Sequence, residues 1–182
     1  MARRIAAMII GLCRRLPVLT IVLLAGCGST PPPTVEAPIP TIDPVGLLES
    51  LRRHARELGE TSVDVAPLRD AERGHWIDLV RQRQSSGDLD GAAAALEQAL
   101  AALPDDPELL QEAAELALLR TEWERAVELA GRAYERGPRV GELCRRSWLT
   151  VATARDVLHD PARGRVARER LDQCSPPPPV RM

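Results

Sequence analysis

Shifting the sequence by 34 residues lays Trp76 on Leu110, Ala92 on Ala126, Ala99 on Ala133 and Pro104 on Pro138. A period of this length means that one supersecondary unit is copied along the chain, and that each copy buries its apolar face only against its neighbours. The residue types within the period say what the unit is made of. Alanine and leucine dominate, Phe is absent, and apolar residues recur at intervals of three and four, which suits helices and not strands. Ala92, Ala99, Ala126 and Ala133 are small where one helix presses on another, and Trp76, Leu79, Leu96 and Leu110 are large enough to fill the hollows left between. Pro104 and Pro138 stand where a residue without an N–H stops a helix and turns the chain.

These residues resemble the tetratricopeptide repeat. In a first unit over 73–106, Trp76, Leu79, Gly87-Asp88, Ala92, Leu96, Ala99 and Pro104 fall at the signature positions. In a second over 107–140, Leu110, Ala113, Ala114, Ala117, Trp123, Ala126, Ala130, Ala133 and Pro138 match. Arg83 departs from the family, which has an aromatic there, and Val80 and Ala114 stand where it favours glycine. The resemblance implies an all-α fold of stacked antiparallel helical hairpins, a short right-handed α-solenoid. Beyond Gly141 the pattern weakens, with Asp160 where a third unit needs alanine. A longer first helix over 141–158 and a second from Pro161 to Cys174 are expected there, as a degenerate capping hairpin over 141–174.

Two further helical patterns precede the units. Leu47, Leu48, Leu51, Ala55 and Leu58 give Val45–Leu58 one buried stripe, with Arg52, Arg53 and Arg56 on the solvated side. A second helix is expected from near Pro67 to Ser86. Together with the units, these patterns define a domain over 45–174.

The chain before this domain reads as targeting sequence. Arginines up to Arg15, an apolar run Leu16–Ala25 and small residues before Cys27 form an export signal over 1–26. The run is too short for a helix crossing about 30 Å of hydrocarbon. Leu24-Ala25-Gly26-Cys27 resembles the lipobox of bacterial lipoproteins, which implies cleavage before Cys27, a diacylglycerol on its sulfur and an acyl chain such as palmitate on its amine. Gly28 lacks the Asp that in this family marks inner-membrane retention, so the resemblance points to the outer membrane, with the domain facing the periplasm. Six prolines between Gly28 and Pro44 make 27–44 a stiff tether, and the proline-rich tail 175–182 is expected to be disordered.

Cys144 and Cys174 lie equally far from His159, the centre of the last turn, so an antiparallel hairpin brings them to one height. An oxidising compartment favours a disulfide between them; the alternative is two buried thiols.

No catalytic constellation stands out. His54, His75 and His159 are isolated from any metal-binding spacing, and there is no nucleophile elbow or phosphate loop. No enzyme activity, metal or cofactor is expected, apart from the covalent lipid on Cys27. Removing the signal lowers 24 arginines to 20 against 26 acids, and the resulting charge of −6 argues against nucleic acid. The family's groove positions carry over to Ile77, Arg81 and Gln84 in the first unit and to Gln111, Glu115 and Leu118 in the second, with Leu149 and Ala152 extending them. The implied function is an adaptor in the cell envelope that holds a protein or peptide partner and serves outer-membrane, pilus-secretin or cell-wall assembly. The alternative is a self-associating repeat domain that pairs two copies.

Overall fold

Asp43 accepts a hydrogen bond from Val45 N and Pro44 opens the first turn, so α1 spans Pro44–Glu57 in the computed structural model, which describes residues 42–60 and 71–175. The same chemistry starts later helices. After α2 (Ala71–Ser85), Asp88 caps α3 (Leu89–Ala102) through Gly91 N, and Asp106 caps α4 (Pro107–Leu119) through Glu108 N and Leu109 N. Then come α5 (Trp123–Arg136), α6 (Glu142–Val157) and α7 (Pro161–Asp172), the last capped by Asp160 through Arg163 N. No strand occurs among the described residues. The start of the second helix near Pro67, the export signal, the tether up to Thr41 and the tail after Ser175 lie outside them.

Three turns within hairpins share one backbone geometry, which expresses the repeat without reference to side chains. Gly87, Thr121 and His159 are left-handed, at φ 77°, 59° and 55°. The next N–H reaches back five residues each time: Asp88 to Arg83 O, Glu122 to Ala117 O and Asp160 to Arg155 O, each at 2.8–2.9 Å. This is the Schellman closure of a helix C-terminus. Glycine adopts it freely at 87, whereas Thr121 and His159 hold it against their own preference.

Each helix packs on the next from α2 to α7, and α2 with α4 and α4 with α6 also touch, so the first helices of successive hairpins form one row. This is the tetratricopeptide-type stack, an all-helical repeat fold. Ala92, Ala99, Ala126 and Ala133 are fully buried at the helix contacts. One more step of 34 from Ala133 reaches Ala167, which is buried too. The third hairpin therefore keeps the alanine that its second helix needs, even though Asp160 has become the cap of a later-starting helix. Ala99 packs with Ile77 and Leu109, fully shielded from solvent. Ala99→Leu is expected to overpack this contact and cost about 1–3 kcal/mol, read as a lowered urea midpoint; an unchanged midpoint would argue against the register.

α1 is the element whose placement the sequence did not announce. It lies against α4 and α6, burying Leu48, Leu51 and Ala55. Arg53 and Arg56 are exposed as expected, but Arg52 turns inward onto α4. The correction has a physical cause, since α4 presents two buried carboxylates to exactly that side of α1.

Candidate functional site

The row of first helices forms the inner face of the stack, and its centre is polar. On α4, Gln111, Glu112 and Glu115 fall on one side of the helix, all at most 1% exposed. From α6, Arg145, Arg146, Ser147 and Thr150 meet them and are also buried. Burying two carboxylates costs several kcal/mol per ion unless their oxygens are all satisfied. Here they are. Glu112 Oε1 accepts from Arg81 Nη2 at 2.6 Å and Arg146 Nη2 at 2.9 Å. Glu115 Oε1 accepts from Arg146 Nε at 2.7 Å and Gln111 Nε2 at 2.9 Å. The remaining oxygens face α1: Arg52 Nε donates to Glu115 Oε2 at 2.6 Å, and Arg52 Nη2 reaches Glu112 Oε2 at 3.3 Å. Gln111 extends the network, donating to Thr150 Oγ1 and accepting from Ser147 Oγ.

Burial by itself would raise the Glu115 carboxyl. The Arg146 and Arg52 charges, with the Arg146 and Gln111 hydrogen bonds, overcome that and lower it to about 2. Arg146 and Arg81 are likewise raised: burial opposes their charge, but the facing glutamates outweigh it. The pH dependence follows from the lowered carboxyl. Glu115 contributes its full stability above its ordinary value of 4.5 and loses it as pH falls toward 2, about 3 kcal/mol across that window. The urea midpoint of the wild type is expected to drop more steeply between pH 4.5 and 2 than that of Glu115→Gln; parallel profiles would contradict this.

The six groove positions divide. Arg81 and Gln84 remain partly exposed. The expectation that Ile77, Gln111, Glu115 and Leu118 line an open groove does not survive, since all four are at most 1% exposed. Ile77 belongs to the hairpin core with Ala99 and Leu109, and Leu118 belongs to the main core that Leu51 of α1 completes. Gln111 and Glu115 are sealed by α1 and α6. Ala152 is buried, and Leu149 lines a shallow depression beside α1. What stays open lies in the space between the start of α1, the end of α2 and the start of α3. There Pro44, Val45, Leu48, Leu89 and Leu119 form an apolar wall and Arg52, Arg81 and Gln84 a polar one, around a cavity of about 470 Å³. Gln84 Nε2 is buried at this place with no acceptor among the described residues.

Residues missed by the sequence reading are Glu112, Arg52, Arg145 and Arg146. A signal was available: Gln111, Glu112 and Glu115 interrupt the apolar run of α4, and Arg145-Arg146 interrupt α6. Acids and arginines on inward faces of adjacent helices are candidates to pair. At the far end of the stack, Cys144 and Cys174 are joined, with Cα atoms 5.6 Å apart, and Gly141 N donates to Cys174 O at 3.0 Å beside them. Among the described residues, no group of three or more His, Cys, Asp or Glu is placed to hold a metal ion.

Comparison with known proteins agrees with the fold. The family model described as Tetratricopeptide repeat matches residues 73–116, which contain the first unit and the start of the second. The chain is similar to the solved globular C-terminal domain of P. aeruginosa LpoP, at 29% identity and a TM-score of 0.53, over 58% of this chain and 99% of that one. No curated protein matches the chain.

Proposed function

We propose that this chain is a lipid-anchored lipoprotein of the bacterial envelope whose repeat domain binds a protein partner and performs no catalysis itself. Cleavage before Cys27 and lipid on that residue fix it to the membrane, and 28–44 hold the domain away from the surface. The apolar run Leu16–Ala25, too short to span the hydrocarbon, followed directly by Cys27 supports lipid as the anchor. The observation that carries the binding role is the inner face of the stack, whose open end sets apolar Leu89 and Leu119 beside Arg81 and Gln84. Apolar contact next to a few oriented polar groups is how a peptide or helix is held with specificity. The tetratricopeptide match and the likeness to the LpoP domain support an interaction role. The processes such an adaptor would serve are outer-membrane, pilus-secretin or cell-wall assembly.

Two substitutions test the parts separately. Cys27→Ser is expected to move the protein from the detergent-released fraction to the soluble one. Ser85→Arg changes an exposed side chain of α2 at the mouth of the cavity, so the fold should tolerate it. Loss of the co-purified partner with an unchanged melting curve supports the trough as the site; retention of the partner moves the site elsewhere.

A further inference from the structure

α1 sits on the repeats as a ligand sits in a receptor. Glu112 and Glu115 stand one turn apart on α4, and each has one oxygen already held by Arg81, Arg146 or Gln111. The second oxygen of each accepts from Arg52. Two preoriented oxygens converging on one guanidinium make a slot that matches its fork of N–H groups. Leu48, Leu51 and Ala55 supply the apolar contact around it. A third feature recognises a helix end. Ala55 lies in the last turn of α1, where carbonyls lack intrahelical partners, and its oxygen accepts from Arg145 Nε at 2.7 Å. An apolar stripe, one guanidinium and one free carbonyl are properties of a helix and do not require that it be part of this chain.

The energetics point the same way. A helix permanently fused to the core is held at least as well by apolar contacts as by buried ion pairs, whereas buried pairs are best attested as devices that select one partner or register. The chain length also allows exchange. Residues 61–70 join Glu60 to Ala71, and ten residues reach up to roughly 35 Å, well beyond the roughly 10–12 Å diameter of the helix to be cleared.

We infer that α1 is an exchangeable occupant of the inner face, and that the partner is a protein helix of the same pattern: apolar residues at i, i+3 and i+7, arginine at i+4, and a C-terminal turn placed over Arg145. This rests on the adaptor reading and names the chemistry of its partner. Arg52 and the Glu112–Glu115 pair then decide whether the trough is closed by the chain's own helix or taken by another.

Hydrogen exchange on the detergent-solubilised protein tests exchangeability. Amides of Leu47–Leu58 are expected to exchange at least tenfold faster than the buried amides of α4 and α6, and Arg52→Gln in the chain should speed them further while α4–α7 stay as they were. α1 amides opening only together with α4 and α6 would overturn the inference. A synthetic peptide with the sequence Pro44–Glu57, followed by fluorescence anisotropy, tests the pattern. It should bind the Arg52→Gln protein at least tenfold more tightly than the same peptide carrying Arg52→Gln; equal binding, or none by either peptide, would overturn the guanidinium slot. Independent opening of α1 with no envelope protein captured would leave this inference standing and defeat the adaptor reading. A captured partner that leaves α1 exchange unchanged would do the reverse.

Discussion

Arg146→Met is expected to destabilise the domain by about 3–5 kcal/mol, the range for removing one partner from a buried ion pair. Arg146 is 7% exposed and donates to both Glu112 and Glu115, so its loss leaves two buried carboxylates each without one of its three donor side chains. Methionine fills much of the volume, which separates loss of charge pairing from loss of packing. The companion variant Arg146→Met with Glu112→Leu and Glu115→Leu removes the stranded charges as well. It should recover most of the loss, because an apolar replacement of a whole buried network is often neutral or better. Urea unfolding of the three proteins at pH 7 reads this directly. A single variant as stable as wild type, or a triple variant worse than the single, would mean that the cluster is not the buried charge network described above.

The second large effect concerns the cap. Replacing Cys144 and Cys174 with alanine, or reducing the bond, is expected to cost about 2–4 kcal/mol, since the bond closes a loop of 30 residues between the start of α6 and the end of α7. For a domain of this size that lowers Tm by roughly 10 °C. The consequence reaches further than stability. α6 carries Arg145 and Arg146, which hold α1 through Ala55 O and the glutamate pair, so a loosened cap weakens the grip on α1. Melting with and without reductant measures the effect; identical curves, with two thiols titratable in the unreduced unfolded protein, would show that no bond forms.

How far the sequence was legible follows from the range of each interaction. The alanine and proline register of the two central units needs only neighbours one period away, and α2 to α7 follow it. Helix starts at Asp43, Asp88, Asp106 and Asp160 are local side-chain chemistry, so they too are visible in a few consecutive residues. Ala167 was equally visible at the next step of 34 and was obscured by Asp160, whose unsuitability at one position suggested that the whole hairpin had lost register. The placement of α1 was not legible, because its amphipathic stripe says that it packs and not on what. Arg52 meets Glu115 across 63 residues of sequence, and nothing in either segment alone names the other. For Gln111, Glu115 and Leu118 the groove failed for the same reason, since α1 covers the part built by α4 and α6 and leaves Arg81 and Gln84 at the open end, whereas Ile77 faces the core of its own hairpin.

The account turns on whether that inner face meets a partner in the cell. A photo-crosslinking residue at position 81, on the open end of the face, compared with one at exposed position 132 on α5, measures it most directly. The expected result is one envelope protein captured from position 81 and absent from 132. The same proteins captured from both positions, or a cross-link from 81 only to a second copy of this chain, would contradict it.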